Sequence, residues 1–185
     1  GVAAMDRGGQ VEHLPAADEL VLAQGYEYYP GGSGANVAVG MARLGRRVGF
    51  WGPLGVGPDA QALVAAFEVE PVDCSACPQA SQSQARCIIT VDKQGERTIV
   101  ALGGAGKVNS AQELDLAYLC RGRVLMVTEY CGEIALAALE AGRTAGTVNF
   151  YNPGGTAVAA GFSYLAELLP WVDVLQLSRT EIGHL

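Results

Sequence analysis

Apolar positions along the chain fall into short, nearly continuous runs separated by segments with helical spacing. Residues 47–51, 124–128, 147–151 and 172–177 are such runs, and their lack of polar alternation is the pattern of strands covered on both faces. Residues 36–44 place Val37, Met41 and Leu44 at the helix period, and residues 133–144 and 157–168 are helical in pattern as well. A strand–helix–strand–helix–strand succession predicts right-handed crossovers and a parallel sheet. The expected fold class is α/β, with a Rossmann-like parallel sheet flanked by helices.

The middle of the chain breaks that rhythm. Residues 84–91 and 96–102 are two strand-like runs around Asp92-Lys-Gln-Gly95, a hairpin with glycine in the turn. Residues 11–14 and 20–29 are also extended in pattern. Together they predict a small antiparallel β-sheet lid, its strands inserted at about 10–29 and 72–102, within one domain over 1–185. A sheet inserted beside the strand ends is placed to cover a ligand.

Composition removes several function classes. Half the residues are apolar and 17% are charged, which excludes a disordered chain. The net charge is −7, the basic residues are ten Arg and two Lys, and Arg46-Arg47 is the one adjacent basic pair. Without a basic patch or stripe, no nucleic-acid partner is expected. No apolar run approaches the ~18–20 residues of a membrane span, and residues 1–6 lack the charged start of a secretory signal. No membrane contact and a cytoplasmic location are the corresponding expectations. Cys74-Ser-Ala-Cys77 has the spacing of a metal or redox pair, but it runs into Pro78, and no second pair or nearby His completes four ligands. The five cysteines are expected to be reduced and structural.

The 25 glycines concentrate at 31–34, 52–57 and 103–106. In Tyr28-Tyr-Pro-Gly-Gly-Ser-Gly-Ala-Asn36 a strand-like run ends at proline, glycines follow, and a helix starts at once. Glycine amides there are able to approach a ligand at the positive end of a helix, and Asn36 adds a donor and an acceptor suited to hydroxyls. A tight strand-to-helix turn capped by Ser33 explains the segment equally well. Gly31-Gly-Ser-Gly-Ala35 also lies one residue from a hydrolase nucleophile elbow, with Asp173 and His184 downstream in hydrolase order, although His184 is the penultimate residue. Gly55-Val-Gly-Pro-Asp-Ala60 has the form of a dinucleotide turn, yet Asp59 in the first helical turn would repel a pyrophosphate. Gly103-Gly-Ala-Gly-Lys107 fails as a P-loop, since position 101 is Ala and position 108 is Val; closing the hairpin strand is its expected role.

Taken together these segments resemble the ribokinase-like (PfkB) family of carbohydrate and nucleoside kinases over essentially the whole chain. Gly1-Val-Ala-Ala-Met-Asp6 is similar to the family's first strand, which ends in a substrate-binding Asp. Pro30-Gly-Gly-Ser-Gly-Ala-Asn36 followed by Val-Ala-Val-Gly-Met-Ala-Arg-Leu-Gly45 is similar to its first motif. Gly55-Val-Gly-Pro-Asp59 resembles its VGxD motif, with Ala62 where a glycine is common. Gly95-Glu-Arg-Thr-Ile-Val100 resembles the second strand of the lid hairpin. Glu129 matches a sugar-contacting acid, and Asn152-Pro153 a later NP pair.

The resemblance implies an ATP-dependent kinase that transfers the γ-phosphate to a sugar hydroxyl. Asp6, Gly32, Ser33, Gly34, Asn36 and Glu129 would bind the acceptor, the carboxylates through charge-assisted hydrogen bonds. Ser178-Arg-Thr-Glu181 resembles the family's NxxE motif, whose Glu helps to organise the Mg²⁺–phosphate water shell. Here Ser178 replaces Asn, and a helix cap explains the same residues. The family's later GAGD motif, with the general-base Asp and an anion hole, is not found in residues 1–185. The base is therefore expected beyond Leu185, and this chain is expected to be the N-terminal, acceptor-binding portion. A nucleoside kinase of the same family, or a non-catalytic sugar-binding module if the chain ends at Leu185, are the alternatives. The lid's strand edges make a homodimer through the lid an expectation as well.

Overall fold

The computed structural model describes residues 1–159 and 161–185. In chain order the first elements are β1 (Ala4–Gln10), β2 (Gln24–Gly31), α1 (Ser33–Arg43), β3 (Val48–Gly49), β4 (Leu54–Val56) and α2 (Pro58–Val69). They are followed by β5 (Val72–Asp73), β6 (Gln79–Ser83), β7 (Arg86–Val91) and β8 (Arg97–Ala101). The last stretch holds α3 (Leu116–Leu119), β9 (Val124–Thr128), α4 (Gly132–Ala145), β10 (Val148–Asn152), α5 (Gly154–Val158), α6 (Phe162–Ala166), β11 (Val174–Leu175) and α7 (Arg179–Ile182). Among the described residues no helix is long and apolar enough to cross a membrane.

The fold is α/β, with parallel strands flanked by helices. β9, β10 and β11 form one parallel sheet with β10 central, and β3 with β5 and β4 with β6 form two shorter parallel pairs. One apolar cluster gathers Met5, Ala35, Phe50, Leu54, Leu63 and Phe67, with the Phe50 and Phe67 rings 5.0 Å apart. A second packs Leu125 and Val127 of β9 and Tyr151 of β10 against Leu139 of α4, with Leu165 and Leu168. Each fully buried Leu or Phe contributes ~1.5–3 kcal/mol of burial free energy.

Three details depart from the sequence pattern. The buried face of α1 is Gly34, Ala35 and Ala38, while Met41 and Leu44 are exposed. The helix lies too close to β1 for large side chains, so the small residues mark its core face. The single helix expected over 157–168 is the two short helices α5 and α6, with Gly161 at φ 91° capping the second. The strand expected over 172–177 pairs only at Val174 and Leu175, both of which are exposed.

The lid is a four-stranded sheet in the order β2-β1-β7-β8. It is mixed rather than purely antiparallel: β1 pairs antiparallel with β2 and β7 with β8, but β1 runs parallel to β7. Its strands begin at Ala4, so β1 is a central lid strand. The polar, glycine-containing run Asp6-Arg-Gly-Gly-Gln10 hides this from a hydrophobic pattern. β5 and β6, within the 72–102 stretch, pair instead with the core strands β3 and β4.

Two polar contacts fasten the lid to the core. The Gln84 side chain, 1% exposed, accepts from the Gly55 amide at 2.8 Å and donates to Ala3 O at 2.9 Å and Ala105 O at 2.7 Å. It thereby joins β1, β4 and the return from β8 at one point. Asp59, buried in the first turn of α2, forms an ion pair with Arg86 at the start of β7. Gln84→Leu in the complete protein takes the side-chain partner from the buried Gly55 amide and Ala3 carbonyl, each costing ~1–3 kcal/mol, while the Ala105 carbonyl keeps the Ala85 amide at 3.0 Å. A loss of about 2 kcal/mol or more in urea unfolding is expected, and a loss below about 1 kcal/mol would show that the junction is held elsewhere.

Candidate functional site

The site begins where β2 turns into α1. Gly32 caps the helix at φ 95°, and a Cβ on it would lie 2.7 Å from Val2 O and 2.8 Å from Ala4 N. A Cβ on Gly34 would lie 2.8 Å from Val2 N. The glycines let the helix N-terminus sit directly on the backbone that leads into β1. There Val2 O accepts from the Gly34 amide at 3.0 Å and the Ala35 amide at 3.2 Å.

This arrangement changes the expected roles of the motif. The Gly34 amide is engaged within the protein and is not offered to a ligand. Among the described residues, the Gly32 and Ser33 amides make no hydrogen bond, so these two donors stay available at the positive helix end. Ser33 is the first helical residue rather than the cap, and its hydroxyl donates to Thr128 Oγ1 at 3.4 Å. Asn36 is exposed one turn along, its side chain without an intramolecular bond.

Asp6 sits on the central lid strand between Tyr29 of β2 and Cys87 of β7. It is 9% exposed. Gly31, at the end of β2, lies so close that any Cβ there would collide with the Asp6 carboxylate. Burial raises the Asp6 pKa, and a hydrogen bond from Cys87 and the charge of Arg97 on β8 oppose that rise. Burial also pushes the Cys87 thiol up, and the charges of Asp6 and Glu129 add to it. The charges of both carboxylates thus reach one thiol, although more than a hundred positions separate them in the chain.

Glu129 follows β9, directly after the Thr128 that meets Ser33. It adopts φ 59°, a left-handed conformation rare for a non-glycine residue. Its amide donates to Asn152 O at 2.9 Å, and its carbonyl accepts from Lys107 Nζ at 2.5 Å. Gly154, just past the Asn152-Pro153 pair, leaves room for the Glu129 side chain, since a Cβ there would be 2.9 Å from Glu129 Cγ. The structure thus draws Asp6, the residues 31–33 turn, Ser33 and Glu129 into one neighbourhood. Cys87, Arg97, Thr128 and Lys107 belong to it and were not singled out by motif. Cys87 follows from strand register, which sets Arg97 opposite Val91 rather than beside Asp6, and Lys107 was legible only as the end of a failed P-loop.

The other candidates are built differently. Ser178 and Glu181 cap each other at the head of α7: Ser178 Oγ accepts from the Glu181 amide at 3.2 Å, and the Glu181 carboxylate accepts from the Ser178 amide at 2.6 Å. Among the described residues no group of three or more His, Cys, Asp or Glu converges. These residues do not by themselves fit a Mg²⁺ site. The remaining glycine clusters do not fit a phosphate cradle either, because the Gly55 amide is held by Gln84 and the Ala105 amide by Ser83 O at 2.8 Å. Ser33 bonds Thr128 rather than a histidine, and His184 is exposed near the C-terminal end, so no hydrolase triad forms. The Cys74 and Cys77 thiols are both raised by burial, Cys77 to about 11, as befits inert cysteines.

Comparison with known proteins gives one consistent result. The chain is 33% identical to a fructokinase of Salmonella typhimurium over 150 residues, which cover 77% of this chain and 47% of the relative. Curated relatives of this kind are matched over only 34–47% of their own length. Among solved structures, the fold superposes with a TM-score of 0.78 on a ribokinase of Arabidopsis thaliana complexed with ribose and ATP, at 22% identity, covering 100% of this chain and 60% of that one. It also superposes with a TM-score of 0.83 on a nucleoside kinase of Burkholderia thailandensis in complex with inosine, at 17% identity, again covering 100% of this chain and 60% of that one. With the model of the pfkB family of carbohydrate kinases matching residues 1–185 throughout, the chain belongs to that family.

Proposed function

We propose that the protein is a carbohydrate kinase of the ribokinase/fructokinase type, and that this chain supplies the half that binds the sugar acceptor. The observation that carries this is the convergence of Asp6 and Glu129 beside the residues 31–33 turn. Both carboxylates are acceptors only, and sugar hydroxyls are the donors that match them. The free Gly32 and Ser33 amides and the exposed Asn36 side chain supply the complementary donors. ATP is the phosphoryl donor in this reading. The residues here do not form its cradle or a Mg²⁺ site, and none of them is proposed as the general base. Positioning is the contribution of this half, and positioning dominates phosphoryl transfer.

A nucleoside is the second acceptor class. Tyr29 pairs with Asp6 across the lid and is 39% exposed on the same face, which offers a ring for a base to stack on. A thermal-shift panel of ribose, fructose and adenosine with the complete protein separates the two readings, because the true acceptor raises the melting temperature by mass action. A shift with adenosine alone would favour the nucleoside. Self-association through the lid is part of the same proposal: β2 and β8 are free edges, and Tyr26, Ile88 and Val100 are exposed on the sheet.

Asp6→Asn in the complete enzyme removes a charged acceptor worth ~1.5–3 kcal/mol per hydrogen bond. The sugar KM is expected to rise about tenfold to a hundredfold with the ATP KM unchanged. Equal KM values for the sugar before and after the change would remove Asp6 from the site.

The raised Asp6 pKa sets a pH dependence. Binding needs the ionised carboxylate, so sugar affinity increases as pH rises through the raised value. Folding responds in the opposite sense, since a group that holds its proton more tightly when folded loses stability as pH rises from its ordinary value to the raised one. Asp6→Asn is expected to remove the Asp6 share of both slopes, read as the difference between variant and wild type in the KM–pH profile and in denaturation at pH 4–7.

A further inference from the structure

The sequence segment Gly103-Gly-Ala-Gly-Lys107 is not absorbed by the acceptor reading. It is no phosphate loop, yet it delivers a lysine from the end of the lid to the acceptor site. We propose that Lys107 is a positioning residue for Glu129, holding the strained turn from which that carboxylate projects. The proposal rests on Glu129 being an acceptor ligand.

Glutamate has no intrinsic reason to occupy φ 59°, so the surroundings must impose it. Three contacts do so. The Glu129 amide is fixed to Asn152 O, Gly154 makes room for Glu129 Cγ, and the Lys107 ammonium draws the Glu129 carbonyl toward itself. The third is the only one of these carried by a charged side chain, and it comes from a different part of the chain. The same segment braces the next residue: the Val108 amide donates to Tyr130 Oη at 3.0 Å, and Lys107 Nζ stands 6.0 Å from the Tyr130 ring. Tyr130 is in turn fixed by Tyr151, whose hydroxyl donates to its carbonyl at 2.9 Å.

Lys107 is exposed, so the contact is not there to satisfy a buried ammonium. It lies three residues after Gly104, which packs on the Ser83 and Gln84 carbonyls, and two after Ala105, which Gln84 holds. The strand leaving the lid is thus clamped to the core immediately before it reaches Glu129.

The test is steady-state kinetics of the complete enzyme with fructose and with ribose as acceptors. Lys107→Met is expected to raise the acceptor KM about tenfold, the size of one hydrogen bond to a charged group. The ATP KM and the melting temperature stay at wild-type values, and Lys107→Arg restores the acceptor KM to within about threefold. Combined with Glu129→Gln, Lys107→Met adds nothing, because its effect is exerted through that side chain. An unchanged acceptor KM in Lys107→Met, or an equal rise in both KM values, overturns the proposal. If Glu129→Gln itself leaves the acceptor KM unchanged, the acceptor reading fails first; if Glu129→Gln raises it and Lys107→Met does not, the positioning role alone is refuted.

Discussion

The close approach of α1 to the start of β1 is the constraint on which the site depends. Gly32 and Gly34 allow a helix N-terminus to rest on the Val2–Ala4 backbone with its amides bonded to Val2 O. That contact sets everything beside it. Gly31 is pressed against the Asp6 carboxylate, and Ser33 reaches Thr128, the residue before Glu129. A side chain at either glycine would force the helix to shift, since the Cβ clearances of 2.7–2.8 Å are well inside van der Waals contact. The two acids would then lose the turn that stands between them. The glycines of this motif act on the geometry of the protein first, and only the free amides of Gly32 and Ser33 remain for a ligand.

The lid joins the core through Met5 of β1, which packs in the apolar cluster, and through a few buried polar contacts. Much of its surface is exposed: all five residues of β8 are exposed, as are seven of the eight residues of β2. Gln84 and the Asp59–Arg86 pair therefore carry more of the lid's placement than their number suggests. β2 and β8, with little burial of their own, sit at the low end of local stability. The lid's attachment points lie at β1, β4, α2 and the 103–106 return, close to both acceptor carboxylates.

Much of the frame was legible because buried parallel strands have an unmistakable pattern. The runs at 124–128 and 147–151 coincide with β9 and β10 to within a residue. The lid hairpin was readable from its glycine turn. What the pattern missed has a common cause: small and polar residues placed where close packing, not hydrophobicity, decides. β1 is a lid strand written in Asp, Arg and Gly, and the core face of α1 is written in Ala and Gly. At the site, resemblance pointed to Asp6 and Glu129, but composition and spacing held no trace of the strand register that puts Cys87 beside Asp6, or of the return that brings Lys107 to Glu129. Ser178 and Glu181 carried two meanings in the sequence, and their mutual hydrogen bonds show the capping one.

Electrostatics give an independent reason to regard the Asp6–Glu129 neighbourhood as functional. The chain already carries a net charge of −7, and most of its acids lie where water solvates them. Asp6 does not: it is nearly buried, and the fold itself opposes its ionisation. For structure alone, an apolar residue in the middle of β1 would serve better, as Met5 beside it shows by packing into the core. The cost is tempered by a thiol and by Arg97, which stands on the outermost strand of the lid. It is not removed. In the proposed acceptor reading, a ligand hydroxyl would donate to this carboxylate and lower its pKa back toward the ordinary value.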